Sequence, residues 1–203
     1  MKTIIVFTVC LALLYGGTAS AESHSRVQWD VSDGGNGHWY EAVVVPSGIT
    51  WSEADAAARS VGGYLATIAS ESENAFVYSL ITDDEFWHVG NTSNGPWIGG
   101  YQDRNAPDYS EPGGGWRWVT DEPFTYTNWT PGALNNGNGG TEEDYMMFGG
   151  WGSEKTAKWN DAPNGPNIGY VIEYNSIPEP STLLALTLAL TGLGGTFVRR
   201  KRA

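Results

Sequence analysis

The sequence almost lacks cysteine. Its one cysteine, Cys10, lies near the start of the 203-residue chain, in a segment that we expect to be removed. The mature protein would then have no disulfide. Disulfides are needed mainly by small secreted domains that cannot build a sufficient core, and the stretch 37–175 is long enough to build one unaided.

Basic residues are also scarce. The chain has 11 Lys and Arg against 23 Asp and Glu, and its formal net charge is −12. All the acidic residues lie between Glu22 and Glu179, whereas part of the basic set lies at the two ends of the chain. This acidity argues against binding nucleic acid or an anionic membrane surface. It suits cations or neutral polar ligands, and a merely solubilising surface is equally compatible.

Long apolar runs are confined to the two ends. At the N-terminus, Lys2 precedes a largely apolar stretch from Ile4 to Tyr15, and small residues follow up to Ala21. A basic start, a short apolar centre and an Ala-x-Ala exit indicate a secretory signal peptide over residues 1–21, cleaved after Ala21. The apolar run is too short to span a bilayer as a helix.

The C-terminal run extends from Thr182 to Val198 without a charged residue. Four basic residues follow it directly: Arg199, Arg200, Lys201 and Arg202. The positive-inside rule places such a cluster in the cytoplasm and the preceding domain across the membrane. We therefore expect a transmembrane segment over 182–198 and an exported domain before it.

Pro178-Glu179-Pro180 stands just ahead of this segment. A Pro-Glu-Pro motif, an apolar helix and a terminal Arg cluster, in that order, resemble the PEP-CTERM sorting tail of Gram-negative bacteria, here over residues 176–203. The resemblance implies cleavage by an exosortase, transient membrane anchoring through the tail, and delivery to the cell surface or extracellular matrix. A simple C-terminal anchor is the alternative.

Residues 22–36 are predicted to be a polar leader, and the domain to begin near Gly37. Aromatic and β-branched residues over 38–45 predict a strand. Two segments fit a capping box, Thr50 with Glu53 and Ser70 with Glu73, and each predicts the start of a helix. The apolar faces expected on these helices are Ala54, Ala57, Ala58 and Val61 in the first, and Phe76, Val77, Leu80 and Ile81 in the second.

Helical periodicity disappears after Gly90. Up to Gly140 the sequence is rich in Gly, Asn, Pro and Trp. Long irregular stretches inside compact domains are usually functional loops. Short strands are expected at 97–99, 116–119, 145–148 and 169–174.

Four motifs in this order resemble those of the C-type lectin-like domain. They are Gly62-Gly63-Tyr64-Leu65-Ala66-Thr67-Ile68, Trp97-Ile98-Gly99-Gly100, Asn128-Trp129 and Trp159-Asn160-Asp161. The resemblance runs from about His38 to Tyr174 and places one domain at 37–175. It implies an α+β fold in which two helices pack on short antiparallel sheets beside a long loop region, here without disulfides.

The resemblance also implies two positions where the family has disulfides. Ala58 and Ile172 occupy one pair, and Tyr145 and Asn164 occupy the other. A disulfide contributes about 2–4 kcal/mol, so apolar packing is expected to replace at least the first pair.

In sugar-binding members of this family, one calcium ion is held by the long loop and the Trp-Asn-Asp strand, and sugar hydroxyls complete its shell. Calcium prefers about six to eight oxygen ligands. Asp144 and Asn136 match positions that build an auxiliary calcium site in some members. The residues that match the principal metal and carbohydrate ligands are Asn135, Glu143, Asn160 and Asp161.

The residues before Asn135 depart from the family. Its Glu-Pro-Asn or Gln-Pro-Asp triplet falls on Ala133-Leu134-Asn135, and Ala133 offers no side-chain oxygen. Leu134 replaces a proline that is cis in those relatives. A cis bond before a non-proline residue costs about 2.5–4 kcal/mol, so we expect a trans bond and a differently shaped loop. Glu142 is the nearest candidate to replace the missing carboxylate.

These patterns favour a non-enzymatic surface or matrix module that binds carbohydrate, for example exopolysaccharide, through a calcium-assisted loop site. Trp151 and Trp129 are candidates for a sugar-stacking platform, although most bulky aromatics belong to the core. The alternative is a calcium-independent protein-binding or structural module, because fold does not fix function. In that case Asn160-Asp161 only closes a strand turn and Glu143-Asp144 is a solvated pair. No nucleophile, base and orienting acid converge in a motif that would indicate an enzyme.

Overall fold

The strand expected from residue 38 organises the chain in the computed structural model, which describes residues 21–139 and 142–176. It runs from Trp39 to Ile49 and is followed by the two expected helices. In the described residues the elements are, in chain order, β1 (Glu22–Ser23), β2 (Val27–Gln28), β3 (Trp39–Ile49), α1 (Trp51–Ser60), β4 (Tyr64–Leu65), α2 (Glu71–Ser79), β5 (His88–Val89), β6 (Thr92–Gln102), β7 (Trp116–Trp118), α3 (Asn136–Gly139), β8 (Tyr145–Trp151), β9 (Trp159–Ala162) and β10 (Asn167–Tyr174).

The strands form one mixed sheet, in place of the separate short antiparallel sheets that were expected. Its main path is β1-β3-β10-β6-β8-β9, while β2 pairs with β3, β4 with β10, and both β5 and β7 with β6. The pairing of β10 with β6, at Tyr170 and Trp97, is parallel. Because β10 also pairs antiparallel with β3, this last strand connects β1 and β3 on one side of the sheet to β6, β8 and β9 on the other.

The capping box predicted at the start of α1 is confirmed. Thr50 accepts a hydrogen bond from the Glu53 amide, and the Glu53 carboxylate accepts one from the Thr50 amide at 2.9 Å. Ala54 and Ala58 are fully buried, as the helical spacing predicts. The prediction for Val61 is wrong: it is 44% exposed, because the helix ends at Ser60 and the chain leaves the buried face there.

The second capping box forms only in part. Ser70 accepts from the Glu73 amide at 3.1 Å, as predicted. The Glu73 carboxylate instead lies in the interior, where it accepts hydrogen bonds from the Ala69 amide at 2.7 Å and the Tyr40 hydroxyl at 2.6 Å. The Glu73 side chain, which the local sequence predicts to cap the helix, therefore makes a tertiary contact with β3 instead.

The segment 22–36 contributes to the sheet, which its polar composition did not predict. Glu22 pairs with Val44 and Val27 with Tyr40, so that β1 and β2 both extend from β3. Trp29 is buried and stacks on Phe76 of α2, with ring centroids 5.6 Å apart. This segment is packed against the domain that follows it.

The positions of the absent disulfides are filled by two different kinds of contact. Ala58 and Ile172 are buried in one hydrophobic cluster, as expected. Tyr145 packs against Trp51 with ring centroids 4.7 Å apart, and Asn164 donates to the Ser52 hydroxyl at 2.8 Å. Both residues of the second pair therefore contact the first turn of α1, which links the end of the long loop to a helix.

The predicted signal peptide up to residue 20, the Pro178-Glu179-Pro180 motif and the predicted segment 182–198 lie outside the described residues. Within residues 21–139 and 142–176, no helix is long and apolar enough to cross a membrane.

Candidate functional site

A pocket of about 250 Å³ opens between the long loop and the edge formed by β8 and β9. Two of its walls come from the loop before β8 and from β9 itself. The four residues predicted as ligands all line this pocket: Asn135, Glu143, Asn160 and Asp161. The structure therefore brings together side chains that are up to 26 positions apart in the chain.

The strand β9 fixes two of these side chains. It pairs antiparallel with β8, so that Met147 lies opposite Asn160 and Met146 opposite Asp161. The neighbouring Trp159 is fully buried, and its indole N–H donates to the Asn74 side chain of α2 at 2.7 Å. This anchor between β9 and α2 holds Asn160 and Asp161 at the rim of the sheet.

Asp161 has the least ordinary environment in the pocket. It is completely buried, and its Oδ2 atom accepts from the Asn135 amide at 3.2 Å. Its Oδ1 atom is buried without a hydrogen-bond partner among the described residues. Burial raises the pKa of Asp161 to about 6, and the nearby Glu143 carboxylate adds to the rise. Leaving a buried charged oxygen unpaired is costly, so this atom is suited to a cation or a donor from a ligand.

Glu143 contributes the second carboxylate. Its Oε2 atom accepts from the Gly137 amide at 2.6 Å, which connects it to the loop at α3. Burial raises the pKa of Glu143, and the hydrogen bond from Gly137 opposes that rise. The pocket thus holds two partly desolvated carboxylates that disfavour each other's ionisation.

The two amide side chains are oriented by backbone carbonyls. Asn135 donates through Nδ2 to the Ala133 carbonyl at 2.7 Å and to the Gly132 carbonyl at 3.0 Å. Asn160 donates through Nδ2 to the Asp161 carbonyl at 2.5 Å. An amide whose nitrogen is held in this way has a defined orientation for its oxygen, the atom that a hard cation prefers.

The auxiliary site suggested by Asp144 and Asn136 is not assembled. Both Asp144 oxygens accept hydrogen bonds from the guanidinium of Arg104 at 3.0 Å. The Asn136 side chain instead donates to Glu111 at 2.9 Å. The suggested replacement by Glu142 is also wrong, because that carboxylate pairs with Arg104 at 2.6 Å and does not line the pocket.

The altered triplet has the conformation that was expected. Among the described residues, the one cis peptide bond joins Glu111 and Pro112, so the bond before Leu134 is trans. Ala133 is completely buried, and its amide donates to the Thr130 carbonyl at 2.9 Å. This position supports the loop from inside and supplies no side-chain oxygen to the pocket.

The two candidate tryptophans have different surroundings. Trp151 lines the pocket, is 48% exposed, and donates from its indole N–H to the Pro131 carbonyl at 3.0 Å. Trp129 packs instead against Trp116 and Trp159, with ring centroids 4.8 and 5.9 Å apart. Only Trp151 of these two presents an indole to the pocket.

The pocket fits calcium in the type and charge of its donors but not in their number. Two carboxylates and two amides are oxygen donors of the kind that calcium prefers. They fall short of about six to eight oxygens, and Ala133 adds none. In the parts of the chain that are described, no three His, Cys, Asp or Glu residues form a group that could hold a metal ion. Oxygens of a bound ligand would have to complete the shell.

Sequence motifs did not reveal every residue of the site. Thr92 and Asn94 of β6 also line the pocket. Arg104 contacts Glu142 and Asp144, the residues on either side of the pocket residue Glu143. The signal for Arg104 was its rarity, since it is one of few basic residues in a strongly acidic domain.

Known proteins match both parts of the chain. The family description "Lectin C-type domain" matches residues 47–171, and "PEP-CTERM protein-sorting motif" matches residues 176–202. A perlucin-like protein of Mytilus galloprovincialis is 33% identical over 128 residues, which covers 62% of this chain and 70% of that protein. Lithostathine of Rattus norvegicus is 26% identical over 129 residues, covering 63% and 68%.

A similar solved structure is the cow C-type carbohydrate-recognition domain of CD23, determined in the presence of a GlcNAc2Man3 oligosaccharide. It has a TM-score of 0.50 and 25% sequence identity, and the similarity covers 70% of this chain and 90% of that one. The expected fold class is thereby confirmed. With a sorting motif at its C-terminus and a lectin domain match over most of its described residues, this chain belongs to the C-type lectin domain family.

Proposed function

We propose that this protein is an exported, non-enzymatic module that binds carbohydrate at the long-loop pocket with the assistance of one calcium ion. The observation that carries the proposal is the buried Oδ1 atom of Asp161, which has no partner among the described residues and lies in a pocket with Glu143. A polar atom in that position is costly unless a ligand satisfies it.

The charge of the pocket supports a cation there. Glu143 raises the pKa of Asp161, which means that each carboxylate opposes ionisation of the other. Bound calcium would favour both ionised forms and would accept the hydroxyl oxygens of a sugar. Asn135 and Asn160 are placed to hydrogen-bond the same hydroxyls.

The walls of the pocket support a sugar as the second component. The exposed indole of Trp151 offers an apolar face against which the C–H groups of a sugar ring can pack. Thr92 and Asn94 add neutral polar groups from β6. The CD23 domain was determined in the presence of an oligosaccharide, which supports carbohydrate as the ligand class of the present protein.

The sorting motif supports a place of action outside the cytoplasm. We propose that exosortase cleaves the chain near Pro178-Glu179-Pro180 and that the mature domain reaches the cell surface or matrix of a Gram-negative bacterium. Exopolysaccharide is the carbohydrate that such a location makes available.

Glycan-array binding of the mature chain, measured with calcium and with a chelator, tests the proposal. Binding should fall at least about tenfold in the chelator, because the carboxylates then repel each other and the sugar loses a coordinating partner. Asp161→Asn should have the same effect, since it keeps the shape and removes the charge. The matched control is Asp108→Asn, an exposed aspartate that pairs with Arg117. Equal binding with and without the chelator would rule out the calcium mechanism.

The alternative is a calcium-independent module that binds protein or is structural. The buried Ala133 favours it, because the loop lacks one oxygen donor that sugar-binding relatives have at this position. The same array decides: no glycan binding by a folded protein under any condition would support this alternative.

A further inference from the structure

Arg104 lies in the loop after β6 and contacts two acidic residues just before β8. Its Nε and Nη2 atoms donate to the two oxygens of Asp144, each at 3.0 Å, and its Nη1 atom donates to Glu142 at 2.6 Å. One guanidinium therefore binds two carboxylates, one of them through two parallel hydrogen bonds. Such bidentate pairs have defined geometry, which a single point contact lacks.

The residue between these two carboxylates is Glu143, which lines the pocket. The Gln102 amide donates to the Asp144 carbonyl at 2.8 Å, so the chain approaching β8 continues the pairing with β6. In extended backbone, alternate side chains point to opposite sides. Glu142 and Asp144 accordingly meet Arg104 on one side, while Glu143 enters the pocket on the other.

The local charge makes this contact significant. Glu142, Glu143 and Asp144 are three consecutive acidic residues, and Asp161 lines the same pocket as Glu143. Without a cation, their repulsion would favour spreading of the segment into solvent. Arg104 forms ion pairs with Glu142 and Asp144 of this segment, whereas Arg117 pairs with Asp108.

We propose that Arg104 is a positioning residue: a built-in cation that binds Glu142 and Asp144 and thereby holds Glu143 in the pocket without an auxiliary metal ion. The ligand part of this inference rests on the function proposed above, whereas the conformational part does not. It follows that the loop adopts its pocket-forming shape before any ligand binds and that it takes up one calcium ion at most.

The conformational part is tested without calcium or sugar. In the folded mature chain, the Gly137 amide donates to Glu143 at 2.6 Å, so its hydrogen exchange and its NMR chemical shift report where Glu143 lies. Arg104→Gln should increase exchange of the Gly137 amide and move its resonance. Arg117→Gln, which breaks the Arg117–Asp108 surface pair, should leave that resonance unchanged.

A conservative variant separates positioning from general stability. Arg104→Lys keeps the charge but not the bidentate geometry, so it should restore the Gly137 signal in part. If Arg104→Gln does not fold, wild-type protein in about 1 M salt provides the same measurement, because exposed charges are then screened. An unchanged Gly137 amide in Arg104→Gln, or in high salt, would overturn the proposal.

The ligand part is tested by calcium titration of the same proteins. Arg104→Gln should weaken calcium binding about three- to tenfold, as expected for a network of partly exposed ion pairs, and Arg117→Gln should change it less than about twofold. If wild-type protein binds no calcium, the proposed function fails while the Gly137 measurement still decides the role of Arg104. If Arg117→Gln weakens binding as much as Arg104→Gln, the positioning role is disproved.

Discussion

The molecule has two pairs of carboxylates that are at least partly withdrawn from solvent, Glu173 with Glu73 and Asp161 with Glu143, and their surroundings are opposite. In the first pair, Glu173 accepts from the Thr67 amide at 2.9 Å and lies 2.6 Å from His38 Nδ1. Its neighbour Glu73 accepts from the Ala69 amide and from the Tyr40 hydroxyl. Four groups, two from residues at or next to the start of β3 and two from the segment between β4 and α2, contact this pair.

The second pair, Asp161 and Glu143 of the pocket, has fewer partners. Glu143 accepts from the Gly137 amide, and Asp161 accepts from the Asn135 amide but retains one buried oxygen without a partner in the described residues. The difference separates two uses of buried charge. A carboxylate that the fold satisfies ties segments together, whereas one that the fold leaves incomplete is suited to an external ligand.

The largest expected effect comes from matched substitutions in the two pairs. Glu173→Gln should lower the free energy of unfolding by about 3 kcal/mol, because an amide cannot accept at both oxygens and would leave a buried donor unpaired. Glu143→Gln should cost less than about 1 kcal/mol, since an amide oxygen can still accept from Gly137 and the burial of a charge is avoided. Urea unfolding of both variants measures these changes in the free energy of unfolding. Equal decreases in the two variants would contradict the distinction between the pairs.

A smaller effect is expected in the pH dependence of stability. The pKa of Asp161 is raised to about 6 in the folded protein, above the ordinary 3.8. The unfolded chain therefore ionises first, and stability falls as the pH rises from about 4 to about 6. Glu143 acts in the same direction, because its pKa is also raised.

The contribution of Asp161 to this fall should be about 3 kcal/mol at neutral pH, since one pKa unit corresponds to about 1.4 kcal/mol. Asp161→Asn should remove it, so that the variant is more stable than wild type at pH 7 and equal to it near pH 4. Calcium should restore the wild type at pH 7 and have less effect below pH 6, where Asp161 is protonated. The measurement is the free energy of unfolding at several pH values between about 4 and 7, with Asp121→Asn as an exposed control. If this free energy depends on pH in Asp161→Asn as it does in the wild type, Asp161 is not the source of the pH dependence.

Much of the fold could be predicted from local sequence. The start of α1 follows from Thr50 and Glu53, whose side chains satisfy amides only three residues apart. The second capping box shows the limit of that reasoning. Glu73 has the same local pattern but is drawn into the interior by Tyr40, which lies 33 positions earlier in the chain. No local pattern encodes such a contact.

Site residues could be predicted where they belong to a sequence motif. They could not be predicted where a contact between residues far apart in the chain determines their partner. The motif match placed Asn135, Glu143, Asn160 and Asp161 together, and they line one pocket. The same match assigned Asp144 to an auxiliary metal site. In the structure Asp144 binds the guanidinium of Arg104, which lies 40 positions earlier in the chain. Composition also could not distinguish an exposed tryptophan from a buried one, since burial depends on what the loop packs against.

The smallest effect is expected at the wall of the pocket. Trp151→Ala should weaken carbohydrate binding about two- to tenfold, the amount that an aromatic contact adds beyond its buried area. Its effect on the free energy of unfolding should stay within about 0.5 kcal/mol, because the side chain is half exposed. Trp151→Phe should retain most of the binding, since it keeps an aromatic face and loses only the hydrogen bond to Pro131. Val61→Ala changes an apolar side chain of similar exposure directly after α1 and should alter neither quantity. If Trp151→Ala binds carbohydrate as well as the wild type does, the ligand makes no contact with this wall, and the incomplete carboxylate pair alone would define the site.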